Sequence, residues 1–262
     1  MILLSFDVEE FDLPLEYGKT LDFERQLNVS TQGTITILDM LQRRGIKATF
    51  FVTANYAVNR PEIIARIVNE GHELASHGYY HSDFKDEHLL QSKLALEQLS
   101  GATVSGFRMA RMMPVNLAEL KNSGYTYNSS INPTWLPGRY NHLDKPRTRY
   151  MEQGTLQLPS SVTPAMRFPL FWLSFHNLPM WLVKQMCYRT YKKDGYLNIY
   201  FHPWEFTDLK NPDYGLPSYI SRNSGNAFTE RIEGFIKWAQ EIGIGFERTD
   251  VLNNDMIAAE VV

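Results

Sequence analysis

Short apolar runs alternate along the chain with longer segments in which apolar residues recur at helical spacing. The runs predict strands at 2–9, 46–53, 104–108, 125–128, 155–158, 196–201 and 244–248, and a further short strand within 71–81. The amphipathic segments predict helices at 28–45, 61–71, 86–100, 114–124, 177–193 and 227–242. Repeated strand–helix units over this length favour an α/β barrel with parallel strands over an open sheet.

Individual residues mark the ends and faces of these helices. Ser30 is the expected N-cap of the first helix, Gly45 its end and Pro61 the start of the second. The predicted apolar faces are Leu89, Leu90, Leu94 and Leu96 in the helix at 86–100, and Phe228, Ile232, Phe235, Ile236 and Ala239 in the helix at 227–242.

The alternation breaks in a segment rich in proline, arginine and aromatic residues that begins at Pro133. We interpret 133–194 as an insertion or cap within a single domain that spans 1–262. Its most apolar part, 168–183, has two interpretations: a buried cap on the mouth of the barrel, or an exposed patch that contacts a membrane surface or a lipid-linked glycan. Core burial is the default for apolar residues, so the buried cap is preferred.

Two histidines follow the apolar run within 71–81. His77 and His81 stand four residues apart, and a His-x-x-x-His pair can present both rings on one side of the backbone to a divalent metal. Such a pair is more often structural when judged alone, but its position just after a strand favours the metal. His72 lies at the other end of the run. It is an odd number of residues from His77, so in a strand its side chain points to the opposite face, which indicates packing or hydrogen bonding.

A third ligand is available at the start of the chain. Asp7 and Glu9 end the first apolar run, and strand periodicity points their side chains the same way. Glu9, Glu10 and Asp12 have an alternative interpretation as a solvated acidic loop. Asp7 fits that alternative least well, because a carboxylate so close to a buried strand needs a partner. The carboxyl ends of parallel strands meet at one edge, so these groups and the histidines are predicted to share a site.

Two further strand ends carry polar side chains. Arg108 is either an ordinary surface arginine or a bidentate partner that holds Asp7 ionised. His202 ends the run at 196–201; an isolated histidine there would be a core residue, but the Pro203-Trp204 pair that follows indicates a rigid pocket wall.

Composition narrows the class of protein. The net charge is −3, with 44% hydrophobic and 21% charged residues, so neither a nucleic-acid-binding surface nor a basic membrane stripe is indicated. Cys187 is the only cysteine, which excludes an intrachain disulfide and favours a reducing compartment. No signal-peptide pattern and no apolar run of transmembrane length is seen, so a cytoplasmic location is expected.

Five short motifs stand at or near predicted strand ends. They are Ser-Phe-Asp-Val-Glu at 5–9, Ser-His-Gly-Tyr-Tyr-His at 76–81, Gly-Phe-Arg at 106–108, Tyr-Asn-Ser-Ser-Ile at 127–131 and Tyr-Phe-His-Pro-Trp-Glu at 200–205. In this order and spacing the chain resembles, over about residues 1–208, the polysaccharide deacetylase family (the NodB-homology or carbohydrate esterase family 4 group). Its Asp-Val-Glu and His-Pro-Trp-Glu motifs are similar to those of the bacterial branch associated with surface-glycan and exopolysaccharide genes.

The resemblance implies a distorted (β/α) barrel of about seven strands and a metal-dependent hydrolase that removes N-acetyl groups from an amino-sugar-containing glycan. The expected metal is Zn²⁺, with Co²⁺ or Ni²⁺ as alternatives. His77 and His81 match the histidine ligands. Many members have Asp-Asp in the first motif; here Val8 fills the second position, so Glu9 is assigned as third ligand and Asp7 as catalytic base, with an exchange of these two roles left open.

The resemblance also implies roles at the remaining motifs. His202 matches the general acid, and Arg108 matches the arginine that orients the base. Trp204 and Tyr80 are predicted to contact the sugar, and aromatic residues of the 133–179 segment are either further sugar contacts or, preferably, ordinary core.

Two departures from the family pattern affect catalysis more than metal binding. The third motif usually reads Arg-x-Pro, whereas this chain has Arg108-Met109-Ala110. Related proteins usually have aspartate where this chain has Asn128. If that aspartate tunes the histidine acid, Asn128 leaves His202 without a charged partner and with a lower pKa.

Two other functions remain open at this point. One is an amidohydrolase that acts on a small amide, as allantoinase-like relatives of the same barrel do; a closed pocket rather than an open groove would favour it. The other is a glycan-binding protein that has lost catalysis.

Overall fold

The computed structural model describes residues 1–252; the last part of the predicted domain 1–262, residues 253–262, lies outside the described residues. The strands are β1 (Ile2–Val8), β2 (Thr49–Val52), β3 (Glu73–Ser76), β4 (Gly106–Phe107), β5 (Tyr127–Asn128), β6 (Trp135–Leu136), β7 (Tyr140–Asn141), β8 (Tyr150–Glu152), β9 (Thr155–Gln157), β10 (Leu197–Phe201) and β11 (Phe246–Glu247). The helices are α1 (Phe23–Arg44), α2 (Ala54–Asn59), α3 (Pro61–Asn69), α4 (Glu87–Ser100), α5 (Leu117–Asn122), α6 (Trp172–Asn177), α7 (Met180–Asp194), α8 (Ser218–Ser221) and α9 (Asn226–Glu241).

Parallel strands in the order β10-β1-β2-β3-β4-β5-β9 form the centre of the fold. β8 extends this sheet antiparallel to β9, β11 pairs with the start of β1, and β6 and β7 form a separate hairpin. No strand ladder joins β9 to β10. Instead, the Ser161 N–H donates to the Asn198 carbonyl at 2.8 Å, and the Asn198 N–H donates to Ser161 Oγ at 2.8 Å. The predicted distorted barrel of about seven strands, in a single domain, is confirmed.

The central strands of the sheet are buried on both faces. Every residue of β1, β2 and β10 is buried, because side chains point alternately into the barrel and outward against the helices. The outer layer contains most of the hydrophobic core, with β1 and β10 packed against α1, α7 and α9. Burial on both faces explains why these strands appear in the sequence as continuous apolar runs rather than alternating ones.

Most predicted helices are present, and their errors have local causes. α9 buries all five residues of its predicted face. α1 starts earlier than predicted: Asp22 is its N-cap and accepts from the Arg25 N–H at 2.9 Å, whereas Ser30 lies inside the helix and donates to the Glu9 carbonyl. α4 buries Leu89 and Leu96 but exposes the other two predicted face residues, Leu90 and Leu94.

The segment 168–183 is divided between burial and exposure. Leu170, Phe175 and Val183 are fully buried, whereas Phe168 and Trp181 are exposed. Within residues 1–252, no helix is long and apolar enough to cross a membrane.

A buried carboxyl group lies at the end of the barrel where β3 begins. Glu73 accepts hydrogen bonds from Thr49 Oγ1 at 2.7 Å, the Tyr127 hydroxyl at 2.7 Å and the Asp250 N–H at 3.0 Å. Burial raises the pKa of Glu73 to about 7, and the negative charge of Asp250 adds to the rise, which the hydrogen bonds only partly offset.

This raised pKa predicts that the protein loses stability as the pH rises. The folded-state pKa of about 7 exceeds the ordinary value of 4.5, so the stabilising contribution of Glu73 is present below about pH 4.5 and is lost as the pH rises through about 7. In Glu73→Gln the side chain stays neutral, so we expect the Tm of the variant minus that of the wild type to increase between about pH 5 and pH 8. Glu62→Gln, at an exposed position on α3, is the control. A Tm difference independent of pH would contradict the prediction.

Candidate active site

Three potential metal ligands converge at the carboxyl ends of β1 and β3. Glu9 directly follows β1, His77 directly follows β3, and His81 lies in the turn beyond. Glu9 Oε2 lies 3.2 Å from His77 Nε2 and 2.9 Å from His81 Nε2, and one ligand atom from each residue lies within 4.8 Å of the others. The parallel sheet places these side chains together because β2 alone separates β1 from β3.

A second polar group holds each of these side chains. His77 Nδ1 bonds to the Arg108 carbonyl at 2.8 Å, and His81 Nδ1 bonds to Asp12 Oδ1 at 2.7 Å. The Trp204 indole N–H donates to Glu9 Oε1 at 3.2 Å. These bonds leave Nε2 of both rings and Oε2 of Glu9 directed at a common point, as expected of ligands oriented by outer partners.

The donor set fits a divalent ion. Two imidazole nitrogens and one carboxylate oxygen, with room for a fourth ligand, are typical of catalytic zinc sites. Burial opposes the charge on Glu9, but the positive charge of His81 and hydrogen bonds from both histidines hold the pKa of Glu9 well below its usual range. Burial likewise opposes the charge on His81, yet the carboxylates of Glu9 and Asp12 raise the pKa of His81 to about 10. This negative potential favours a cation at the common point.

The solvated-loop interpretation of the first acidic residues is wrong. Glu9, Glu10 and Asp12 are all buried. Glu10 accepts from Thr53 Oγ1 at 2.9 Å, and Asp12 binds His81. The functional importance of Asp12 was missed because its partner is remote in sequence and it lies beyond the strand whose periodicity identified Glu9.

Asp7 and Arg108 form a buried ion pair beside the three ligands. Arg108 Nη1 donates to Asp7 Oδ1 at 2.6 Å and to Ser5 Oγ at 2.9 Å. The rest of the guanidinium bonds to Ser129: Nε donates to its carbonyl at 3.1 Å and Nη2 to its Oγ at 2.9 Å. Arg108 is therefore not a surface residue, but the predicted bidentate contact is replaced by a single bond to one carboxylate oxygen.

His202 has a charged partner, and it is not at position 128. His202 Nδ1 bonds to Glu205 Oε1 at 2.9 Å within the same motif. Asn128 instead donates to Gln157 Oε1 at 2.8 Å and accepts from Ser130 Oγ. The expectation that Asn128 leaves His202 without a charged partner is wrong; the residue belongs to a local amide network.

The electrostatic environment favours a protonated His202. Burial lowers its pKa, but the hydrogen bond with Glu205 and the negative charges of Glu9, Glu205 and Asp7 more than reverse this effect, so the pKa of His202 lies above its ordinary value.

The turn that carries Glu205 is held by close packing on α1. A Cβ added at Gly33 would lie 1.9 Å from the Pro203 carbonyl oxygen, so only glycine allows this approach.

These groups line one cleft with a volume of about 280 Å³. Asp7, Glu9, His77, His81 and His202 all border it. Its other walls come from the turn after β1, from the β6–β7 hairpin and from the start of α6, and they include Glu16, Tyr17, Leu136, Arg139, Phe171 and Trp172. The potential metal ligands, a candidate base and a candidate acid therefore share one opening.

Residues 20–112 match the polysaccharide deacetylase family. The match covers 93 of the 262 residues and is therefore a partial match to this family. The matched range contains His77, His81 and Arg108, while Asp7, Glu9 and His202 lie outside it.

Parts of the chain are similar in sequence to individual deacetylases. The chain is 48% identical over 50 residues to a chitooligosaccharide deacetylase of Bradyrhizobium sp. (strain ANU 289), a match that covers 19% of this chain and 23% of that protein. It is 36% identical over 103 residues to a peptidoglycan-N-acetylglucosamine deacetylase of Bacillus cereus, over 37% of this chain and 34% of that protein. The chain thus matches about a third or less of these relatives' length.

Solved structures share the deacetylase fold over almost the whole chain. A Mycobacterium smegmatis protein assigned to the polysaccharide deacetylases superposes with a TM-score of 0.70 at 18% identity, covering 99% of this chain and 90% of that one. The Puue allantoinase superposes with a TM-score of 0.65 at 16% identity, covering 97% of this chain and 88% of that one.

The third motif, Arg108-Met109-Ala110, leads into a strained turn. Arg111 and Met112 are consecutive non-glycine residues with φ of 54° and 53°. Each left-handed residue of this kind costs of order 1–3 kcal/mol, and such strain concentrates at functional sites. Here the turn lets Arg111 bond to Asp12 at 3.3 Å and to Glu16 at 3.0 Å, beside the cleft.

The two predicted sugar contacts have different surroundings. Trp204 borders the cleft but is only 2% exposed, and its ring stacks on His202 with a centroid distance of 4.6 Å. Its contacts with Glu9 and His202 indicate support of the site rather than an open sugar platform. Tyr80 is exposed and lies in a neighbouring groove with Asp12 and Asp83, outside the main cleft.

The bond between Asp12 and His81 predicts that Asp12→Asn weakens zinc binding. Loss of the carboxylate charge behind an imidazole ligand typically lowers metal affinity by about 10–100-fold. Competition with a chromophoric chelator measures the affinity. Asp83→Asn, at an exposed position in the neighbouring groove, is the matched control and should bind zinc as the wild type does. Equal affinities for both variants would show that Asp12 does not support the site.

Proposed function

We propose that this protein is a metal-dependent hydrolase that removes N-acetyl groups from an amino-sugar-containing glycan. The observation that carries the proposal is the shared cleft, in which the Glu9, His77 and His81 donor set lies beside Asp7 and His202. The family match over residues 20–112 and the names of the matched relatives support a glycan substrate.

Glu9, His77 and His81 would hold the ion, with Zn²⁺ preferred and Co²⁺ or Ni²⁺ as alternatives. When bound, such an ion supplies Lewis-acid chemistry: it polarises the acetyl carbonyl and makes water more acidic. Hydrogen bonds between Asp12 and His81, between Trp204 and Glu9 and between the Arg108 carbonyl and His77 keep the ligand atoms aimed at one point.

Asp7 would act as the general base. Its Oδ1 is fixed by Arg108, and the carboxylate borders the cleft, where Oδ2 can accept a proton from the attacking water. Arg108 is itself held in place, because Nη1 also donates to Ser5 and both Nε and Nη2 donate to Ser129. The bond geometry supports Asp7 as base and Glu9 as ligand rather than the exchanged assignment.

His202 would act as the general acid. Its raised pKa keeps a proton available, and the bond from Nδ1 to Glu205 leaves Nε2 to face the leaving amine. Proton donation releases acetate and an amino sugar. The proton that Asp7 accepts balances the one that His202 donates, so the protein regains its starting state after proton exchange with water.

The segment 133–194 would serve as a cap that selects the substrate. Its β6–β7 hairpin and α6 supply Leu136, Arg139 and Phe171 to the cleft wall. Arg139 also reaches Glu16 at 3.0 Å, which joins the hairpin to the turn after β1. The cleft volume of about 280 Å³ suits a single sugar unit around the acetyl group.

That same volume keeps a small-amide substrate as the second candidate, because about 300 Å³ is the lower end for small-molecule pockets. A screen that measures acetate release from N-acetylated chitooligosaccharides and peptidoglycan fragments, and ring opening of allantoin, separates the two. Zinc binding without turnover of any of them would support a non-catalytic glycan-binding role instead.

The proposed division of roles predicts opposite behaviour for two conservative variants. Asp7→Asn should retain zinc and lose roughly 10²–10⁴-fold in kcat, because an amide cannot accept the proton. Glu9→Gln should lose zinc along with activity, because the neutral amide is a poor ligand. Zinc content by elemental analysis and acetate release are measured on the same samples. If Asp7→Asn loses zinc and Glu9→Gln retains it, the base and the ligand must be exchanged.

A further inference from the structure

A second histidine lies on the far side of the carboxylate that holds His202. Glu205 Oε1 bonds to His202 Nδ1 at 2.9 Å and accepts the His202 backbone N–H at 2.6 Å, while Oε2 bonds to His176 Nε2 at 3.0 Å. Glu205 and His176 are both completely buried. The three side chains form a continuous series of hydrogen bonds from the cleft into the protein interior.

The surroundings of His176 define which ring nitrogen carries its proton. Its Nδ1 is buried and has no hydrogen-bond partner within residues 1–252. Its ring stacks on Phe228 with centroids 4.0 Å apart and meets Trp172 edge-on at 6.0 Å. A proton on Nδ1 would be buried unpaired, so the ring donates through Nε2–H to Glu205.

We propose that His176 is a positioning residue for His202 and acts through Glu205; this inference rests on the proposed function, in which His202 is the general acid. Among the described residues, the His176 N–H is the only donor to Glu205 Oε2. It therefore fixes the plane of the carboxylate, and that plane fixes the orientation of the His202 ring. It also draws negative charge toward Oε2 and away from His202.

The location of His176 connects the acid to the proposed cap. His176 lies on α6, whose first turn supplies Trp172 and Leu173 to the cleft wall. His202 is in contact with Trp172, Tyr200 and Trp204, and the charges that act on it are those of Glu205, Glu9 and Asp7. α6 therefore reaches His202 in two ways: Trp172 contacts the ring edge-on, and His176 is linked to it by hydrogen bonds through Glu205.

Two substitutions separate hydrogen bonding from packing. His176→Phe keeps a ring against Phe228 but removes the donor, whereas His176→Gln keeps an N–H donor of similar reach but removes the ring. In the zinc-loaded Phe variant we expect kcat for acetate release to fall roughly tenfold, part of the 10²–10⁴-fold that a general acid supplies, with KM unchanged. Loss of the donor leaves the Glu205 charge to His202 alone, so the alkaline limb of the pH–rate profile should move to higher pH.

The Gln variant should restore both kcat and the position of this limb toward wild type. His72→Phe, which removes a buried histidine at the opposite end of β3, is the matched control and should leave the limb in place. An unmoved limb in the Phe variant, or an equal loss of kcat in Phe and Gln variants, would show that His176 only fills space.

A measurement on the wild type tests the inference even if the variants do not fold. In zinc-loaded protein with ¹⁵N-labelled histidine, we expect the His176 ring to carry its proton on Nε2 and to leave Nδ1 unprotonated. A ring that carries its proton on Nδ1 alone and leaves Nε2 unprotonated would overturn the proposed contact. Failure of the wild type to release acetate from any substrate would instead contradict the proposed function and leave the ¹⁵N result to decide the contact.

Discussion

A guanidinium group with no access to water crosses the interior of the barrel just below the cleft. Arg108, at the end of β4, reaches Ser5 and Asp7 on β1 and Ser129 after β5, and it lies 4.1 Å from the centre of the Phe51 ring on β2. A buried charge is tolerated only when it is paired and fully hydrogen-bonded. Removal of Asp7 would leave the charge uncompensated, and removal of either serine would leave a buried N–H group without an acceptor. This requirement fixes the relative positions of β1, β4 and β5, and with them Asp7.

The same strand ends that satisfy Arg108 also position the metal ligands. The Arg108 carbonyl bonds to His77, and Glu9 lies two residues beyond Asp7, on the same side of β1. The candidate base and the ligands are thus held by one network rather than by independent loops. Such a network explains how short motifs, separated by up to about 200 residues in the chain, combine into a site of defined geometry.

The sequence predicted those features that depend on local periodicity. The buried face of α9 and the convergence of Asp7, Glu9 and His77 follow from helix and strand repeats, and the resemblance assigned the roles. Asp12 and Glu205 were missed as supporting residues because nothing in local periodicity shows which distant ring a carboxylate contacts. The Asn128 error has the same origin: position within a motif suggested a partner, whereas the fold places Gln157 beside the amide.

The strand order also constrains how the chain can fold as it is synthesised. β1 is made long before β10 and β11, yet it pairs with β10 through Ile2–Phe6 and with β11 at its start. Until residues near 200 have left the ribosome, one apolar edge of β1 has no partner, and an unpaired edge of this kind invites association with other chains. Final closure therefore depends on contacts between strands that are far apart in sequence, such as the pairing of Ile2 with Leu197, and this high contact order slows folding. A nascent chain of this protein would gain most from chaperone binding to β1.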